Sequence, residues 1–178
     1  QEIKYNMDCL KKQFVRIRQT DIENVKTLIK AYGVSYIDAP GEADKLCAKI
    51  VCKKKAYACL SEDMDLFVYG CPRVIRYLSL LQNTAIIYDL SSILNEMDVT
   101  LKEFQYICVA SGTDYNCDTK NGTNLITTLK YFKKYKKSND TDFYEWLEEN
   151  TKYVDNIYTL YNILELFSLS NMIEYKKY

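Results

Sequence analysis

The sequence has no histidine, none of its seven cysteines forms a C-x-x-C pair, and no charge sign is in excess. The lack of histidine argues against a zinc site and against a His-based catalytic triad. The cysteines lie mostly in apolar runs, which is typical of buried thiols in an intracellular protein. The sequence shows no signal peptide and no apolar run long enough to cross a membrane.

Charge is balanced overall but not locally. The 24 Lys and Arg residues equal the 24 Asp and Glu residues, so no global basic field points to a nucleic-acid partner. Residues 120–137 nevertheless hold six lysines and no acid, whereas 138–174 hold eight acids and one lysine. A basic stripe can therefore lie within a neutral chain.

Hydrophobic periodicity predicts an alternation of strands and helices. Two capping boxes, at Thr20–Glu23 and Thr100–Glu103, open helices that should stop at Gly33 and Gly112. Short apolar runs predict strands at 34–37, 56–60, 74–78 and 85–88. Further helices are predicted to begin at Pro40 and to cover about 124–137, 142–150 and 154–168.

This order predicts an α/β fold, a three-layer sandwich with a mostly parallel sheet, followed by a helical C-terminal extension. With 178 residues and 48% hydrophobic content, the chain can bury one substantial core. We expect an α/β core over residues 1–118 and a helical extension over 119–178 that packs on it.

Two acidic pairs follow two of the predicted strands. Glu42 and Asp44 come after the strand at 34–37, and Asp63 and Asp65 come after the strand at 56–60. Asp114 follows the helix that should end at Gly112. Because ligands gather at the carboxyl ends of strands in such sheets, we expect these five acids to share one rim. An oxygen-only ligand set selects hard ions such as Mg²⁺ or Mn²⁺.

Simpler interpretations compete with this one. A single acidic pair is more often a solvated helix start or a cap, and only the coincidence of two pairs with Asp114 favours a site.

The segment "CLSEDMDLF" also resembles the D-x-D loop of aspartyl-phosphate phosphatases. Those enzymes normally place a small hydroxyl residue after the second Asp, however, and Leu66 and Phe67 do not provide one.

Three sequence blocks, "GVSYIDAPGEADKLCA", "AYACLSEDMDLFVYGCPRVIRYL" and "VASGTDYN", resemble the flap endonuclease family of structure-specific 5′ nucleases. The resemblance runs from about Lys11 to Tyr135. It implies a resolvase-like, PIN-like fold, a site for two Mg²⁺ or Mn²⁺ ions, and hydrolysis of DNA at junctions of single and double strands. The expected partner is branched or flapped DNA, the expected location is the nucleus or the site of DNA replication, and recruitment by a sliding clamp is left open.

The resemblance also assigns residues. It implies that the metal-binding and catalytic set is Glu42, Asp44, Asp63, Asp65 and Asp114, where Asp44 replaces a Glu found in many relatives. Glu62 belongs to the same motif but is expected to point away from the metal. Phosphate contacts are expected from Lys11, Lys12, Arg16, Lys120, Gly122, Lys130, Lys133 and Lys134. For the lysines of residues 120–137, a solvated lysine face is an equal alternative.

Two departures from the family affect the expected function. Relatives draw further metal-site aspartates from an N-terminal segment that this sequence does not contain, so we expect the site as given to be incomplete. A catalytically inactive nucleic-acid-binding relative is therefore the alternative. Relatives also carry a glycine-rich turn that often binds K⁺, of which only Gly122 is kept, and this weakens the case for a K⁺ ion near that residue.

Overall fold

The computed structural model describes residues 17–116, 124–138, 140–152, 154 and 156–170. They belong to two compact units, one ending at Ala39 and the other beginning at Pro40. The predicted domain boundary at residue 118 lies outside the described residues and stays a prediction. None of the helices described is long and apolar enough to span a membrane.

The first unit contains helix α1, Gln19–Ala31. It begins earlier than predicted, because Arg18 and not Thr20 is the N-cap. Asp21 completes the capping box by accepting the Arg18 amide at 2.9 Å. The helix stops where predicted, since Gly33 follows it with a left-handed φ of 71°.

The strand predicted at 34–37 does not form among the described residues. An apolar run favours a strand only if a neighbouring strand supplies ladder hydrogen bonds, and none pairs with this segment within the described ranges. A side-chain contact holds the segment after it instead. Lys26 of α1 lies 2.7 Å from Asp38.

The second unit contains a three-stranded sheet in the order β1–β2–β3, where β1 is Cys59–Leu60, β2 is Arg73–Ser79 and β3 is Thr84–Asp89. β1 and β2 are parallel, whereas β2 and β3 form an antiparallel hairpin. The described sheet is therefore mixed, and not mostly parallel as expected. The parallel strand predicted at 56–60 is also shorter than expected.

β3 lies at an edge of the sheet, because β2 is its one neighbour among the described strands. Its two isoleucines, Ile86 and Ile87, are about half exposed. In the turn between β2 and β3, Leu81 is 98% exposed. The hairpin therefore exposes several apolar side chains to solvent.

Among the described residues, the second unit contains the five helices predicted for this part of the chain and two that were not predicted, at residues 65–68 and 90–97. In chain order they are α2 Ala43–Cys52, α3 Asp65–Val68, α4 Leu90–Met97, α5 Leu101–Ser111, α6 Leu125–Tyr135, α7 Phe143–Asn150 and α8 Ile157–Leu166. The capping box at Thr100 is confirmed, since Thr100 Oγ1 accepts the Glu103 amide at 3.2 Å and Glu103 accepts the Thr100 amide at 2.7 Å. Gly112 ends α5 as predicted.

Helix α5 is central to the core, where it packs against α6, α7 and α8. The largest fully buried side chains include Ile107 of α5, Phe143 and Tyr144 of α7, and Phe167 after α8. Burial of each such side chain stabilises the fold by about 1.5–3 kcal/mol. The α/β core with a helical C-terminal extension is therefore the class that the sequence predicts.

One carboxylate joins three of these helices. Asp142, the N-cap of α7, accepts hydrogen bonds from the hydroxyl groups of Tyr106 at 2.7 Å and Tyr161 at 2.8 Å, on α5 and α8 respectively. It also accepts the Tyr144 amide at 2.8 Å. Burial alone would raise the pKa of Asp142, but these hydrogen bonds outweigh burial and hold the pKa below its usual value.

Candidate active site

All five acids that the sequence indicates border one small cavity of about 150 Å³ in the second unit. The cavity is lined by Glu42, Asp44, Asp63, Asp65, Tyr69, Asp114 and Tyr115. The carboxylates come from three separate segments of the chain. The structure therefore brings together the residues that the strand-end argument and the family resemblance both select.

The first acidic pair lies at the start of α2. Glu42 is the N-cap residue, and Asp44 lies in the first turn. The free amide groups at a helix N-terminus favour nearby anions, so the helix tolerates two acids there. Apolar residues further along α2, including Leu46, Ala48 and Val51, are buried and fix the helix against the core.

The second pair lies in the loop between β1 and α3. Asp63 Oδ1 accepts the Asp65 amide at 2.9 Å, and the Asp63 amide donates to Ser61 Oγ at 3.1 Å. Asp65 then opens α3, a single turn whose Leu66, Phe67 and Val68 are buried. Because these apolar side chains anchor the turn, Asp65 is held in a half-buried position.

Asp114 is positioned by a loop that a buried asparagine organises. Asn116 Oδ1 accepts hydrogen bonds from the amide of Thr113 at 2.5 Å and from its hydroxyl group at 2.8 Å, and its Nδ2 donates to the Val109 carbonyl at 2.9 Å. Asn116 is only 7% exposed. It therefore ties the loop that carries Asp114 to the end of α5.

The electrostatics of the cavity show mutual repulsion among the acids. Burial raises the pKa of Asp65 to about 6, and the nearby carboxylates, with Asp63 and Asp114 first, add to the effect. The pKa of Asp44 is also raised, by burial and then by Asp63 and Glu42. Two carboxylates with raised pKa values in one cavity are typical of a functional site and not of a solvated helix start.

One wall of the cavity is aromatic. Burial raises the pKa of Tyr69, and the neighbouring Tyr115 side chain adds to the effect. Both rings contact Phe167, at centroid distances of 4.9 Å for Tyr69 and 5.8 Å for Tyr115. Sequence reasoning missed this wall, although Tyr115 directly follows Asp114 in the motif "VASGTDYN".

The donor chemistry of the cavity fits a hard divalent cation, because all five charged ligands are carboxylates. Among the described residues, however, no three His, Cys, Asp or Glu side chains converge closely enough to hold an ion as they stand. Burial is the main cause of the raised pKa of Asp65, and the repulsion from nearby carboxylates that adds to it also favours their separation. Binding an ion would therefore require carboxylates that already border the same cavity to move closer together.

The predicted DNA contacts are described only in part. Lys130, Lys133 and Lys134 are exposed on α6 at i, i+3 and i+4 spacing, which places them on one face. None of the three borders the acidic cavity. The remaining candidates, Lys11, Lys12, Arg16, Lys120 and Gly122, lie outside the described residues.

Comparison with known proteins identifies the fold. The structure is similar to flap endonuclease-1 from Methanococcus jannaschii, with a TM-score of 0.68 at 22% identity, covering 93% of this chain and 50% of that one. It is also similar to the catalytic core of Rad2 in complex with DNA substrate, with a TM-score of 0.69 at 18% identity. That match covers 98% of this chain and 62% of the Rad2 chain. The chain thus has the α/β fold of this class of nucleases.

Sequence comparison identifies the family within that class. Residues 33–114 match the family described as XPG I-region. The chain is 33% identical to flap endonuclease 1 of Zea mays over 132 residues, which are 72% of this chain and 35% of that protein. It is 29% identical to flap endonuclease 1 of Methanococcus aeolicus over 159 residues, which are 84% of this chain and 49% of that protein. The chain belongs to the flap endonuclease family, and it spans about a third to a half of the length of these relatives.

Proposed function

We propose that this chain supplies the acidic cavity of a divalent-metal-dependent, structure-specific 5′ nuclease. The observation that carries the proposal is the convergence of Glu42, Asp44, Asp63, Asp65 and Asp114 on one cavity in a chain of this family. Rad2, a structural neighbour, was solved with a DNA substrate. The proposed reaction is hydrolysis of a DNA phosphodiester bond where single and double strands meet.

The five carboxylates would hold two Mg²⁺ or Mn²⁺ ions. Such ions activate a water molecule and stabilise the attacking and leaving oxygens of an in-line displacement. Asp44 and Asp65, the half-buried pair, define the inner part of the cavity, while Glu42, Asp63 and Asp114 are exposed at its rim. Because bare carboxylates repel a phosphate, the rim acids would face the scissile phosphate only through an ion that they hold, and Tyr69 and Tyr115 would shield part of the cavity from bulk water.

The lysines of α6 fit a different task. Lys130, Lys133 and Lys134 carry positive charge on one exposed helix face, which suits contact with successive phosphates of a duplex without reading its sequence. The proposed partner is flapped or branched DNA at sites of replication, in the nucleus where the cell has one. A bound K⁺ near Gly122 and recruitment by a sliding clamp remain predictions.

A metal titration and a cleavage assay test the proposal together. Mn²⁺ binding is measured by electron paramagnetic resonance, DNA binding by fluorescence anisotropy, and cleavage of a labelled 5′-flap duplex on a denaturing gel. We expect Asp65→Ala to lose Mn²⁺ binding and any Mn²⁺-dependent cleavage while it still binds the flap. The exposed Asp140→Ala variant, outside the cavity, should behave as wild type.

The outcomes separate the candidates. Mn²⁺-dependent cleavage that Asp65→Ala abolishes would support the nuclease directly. Binding of Mn²⁺ and flap DNA with negligible cleavage would favour the alternative, a relative whose site is incomplete in these 178 residues. A wild-type chain that binds neither Mn²⁺ nor flap DNA would contradict the proposal.

A further inference from the structure

We infer that Arg76 is a positioning residue, which holds the loop carrying Asp63 and Asp65 in place through Glu62. The inference rests on the proposed function, because it concerns the same acidic cavity. It assigns a task to two charged residues that lie outside the cavity lining.

Three consecutive residues of β2 form hydrogen bonds with the beginning of the acidic loop, which is the loop that carries Asp63 and Asp65. The Ile75 carbonyl accepts the Ser61 amide at 3.1 Å. Arg76 Nη2 donates to the Glu62 carbonyl at 3.0 Å. The Tyr77 amide donates to Glu62 Oε1 at 2.6 Å. The loop is therefore attached to the strand by backbone and side-chain bonds before it reaches Asp63.

The Arg76 guanidinium makes further contacts on both sides of Asp63. Its Nη1 contacts Met64 Sδ, and its Nε lies 3.4 Å from Glu62 Oε2 as an ion pair. This Nε is buried and makes no hydrogen bond, so the pair is held by charge and by the Nη2 bond. The Arg76 side chain is 14% exposed and stacks on the Tyr77 ring at 4.8 Å. Such a packed arginine loses little further entropy in holding the loop.

The backbone of β2 is distorted where it meets Glu62. Tyr77 has a left-handed φ of 54°, and the register of β2 against β3 shifts between Arg76 and Ser79. A left-handed conformation costs a non-glycine residue about 1–2 kcal/mol. Tyr77 lies within this shift and has no register partner among the described residues of β3, and its amide donates to Glu62. The strained residue thus coincides with a bond that fixes the acidic loop.

The restraint passes from this attachment to the carboxylates. Glu62 and Met64 flank Asp63, and Asp63 Oδ1 accepts the Asp65 amide. The contacts described for the Arg76 side chain are with Glu62, Met64 and Tyr77, and none of these residues lines the acidic cavity. Arg76 therefore acts on the backbone that carries the acids and not by neutralising their charge.

Substitutions of Arg76 can distinguish a positioning role from a purely electrostatic one. If Arg76 positions the loop, Arg76→Lys should lose Mn²⁺ affinity as Arg76→Gln does, because an ammonium group cannot bridge Glu62 and Met64 at once. If only a positive charge matters, Arg76→Lys should restore wild-type behaviour. Arg73→Gln is the matched control, since Arg73 lies on the same strand but donates to the Tyr57 carbonyl and stacks on the Tyr57 ring.

The test is the Mn²⁺ affinity of the folded protein, measured by electron paramagnetic resonance, with urea denaturation run in parallel to confirm folding. Loss of residues that orient metal ligands typically lowers affinity by about 10–100-fold. We expect a loss in this range for both Arg76 variants and for Glu62→Gln, and little change for Arg73→Gln. The double variant Glu62→Gln/Arg76→Gln should lose no more than the worse single variant, because both residues act through one attachment.

Wild-type Mn²⁺ affinity in folded Arg76→Gln, or its recovery in Arg76→Lys, would overturn the positioning role. Equal losses in Arg73→Gln would show a general effect of strand β2 and would also overturn it. A wild-type chain without Mn²⁺ affinity would instead contradict the metal-binding part of the proposed function, on which the inference rests.

Discussion

Replacing Asp65 by Asn should make the metal-free protein more stable, although it removes a proposed ligand. The pKa of Asp65 rises from 3.8 to about 6, mainly through burial and the Asp63 carboxylate. About 1.4 kcal/mol per pKa unit gives about 3 kcal/mol in full. Since the carboxyl group is only half-buried, water screens most of this, and a gain of about 1 kcal/mol is realistic. Loss of an acid from the single-turn helix α3 opposes it by only about 0.3 kcal/mol.

The sign of this effect sets its pH dependence. A carboxyl group whose pKa is raised on folding opposes folding when it is ionised, so wild-type stability should fall as pH rises from about 4 to 6 and then level off. The stability of Asp65→Asn should not fall over this pH range. The variant should therefore be no more stable than wild type below about pH 4, and its full gain in stability should be present above about pH 6.

Thermal melting with a chelator checks this prediction. A gain of about 1 kcal/mol corresponds to about 2–4 °C in a chain of this size. Added Mn²⁺ should raise the melting temperature of wild type but not of Asp65→Asn, because the ion relieves the same repulsion. Asp140→Asn provides the control for removing an exposed acid. If Asp65→Asn melts at or below the wild-type temperature at pH 7.5, burial and the neighbouring carboxylates do not oppose ionisation of Asp65 as argued.

Three further results are expected. Asp142→Ala should lower the free energy of unfolding by about 3 kcal/mol in urea, about 1 from the lost helix cap and about 1 from each tyrosine hydroxyl left without its acceptor. The change for Asp140→Ala should stay within about 0.5 kcal/mol. The lowered pKa of Asp142 means that its stabilising contribution is complete above about pH 4 and is lost as pH falls further. Asn116→Ala should weaken Mn²⁺ binding in the same resonance assay, and an unchanged affinity would separate its loop from the site. Replacing Lys133 and Lys134 by Ala should reduce the salt dependence of duplex binding by about 0.9 in log–log slope per contact, whereas an unchanged slope across a salt titration would favour a solvated face.

Local chemistry made much of the fold predictable. Thr100 and Glu103 cap α5 as their spacing predicts, and the glycines at 33 and 112 end the helices before them. These features depend on residues within one turn of each other, so sequence alone contains the information. The start of α1 was predicted two residues late, because the pattern favoured Thr20 where Arg18 and Asp21 form the box.

Long-range pairing could not be predicted in the same way. The run at 34–37 has the composition of a strand, but pairing depends on a partner elsewhere in the chain. The contact of Glu62 with Arg76 joins residues 14 apart through a shifted strand register that no periodicity reveals. Glu62 does not line the acidic cavity, and the sequence could not show which groups Glu62 contacts.

The edge strand β3 has a practical consequence for the isolated chain. No described strand pairs with the outer edge of β3, and its backbone groups, next to half-exposed Ile86 and Ile87 and to the exposed Leu81, form a template for pairing with other chains. Natural sheets often protect such an edge with lysine, but β3 contains none. Yield and shelf life of purified protein should therefore be limited by aggregation that grows with concentration before the cavity chemistry fails. A lysine at position 86 would be the first change to make for solution work.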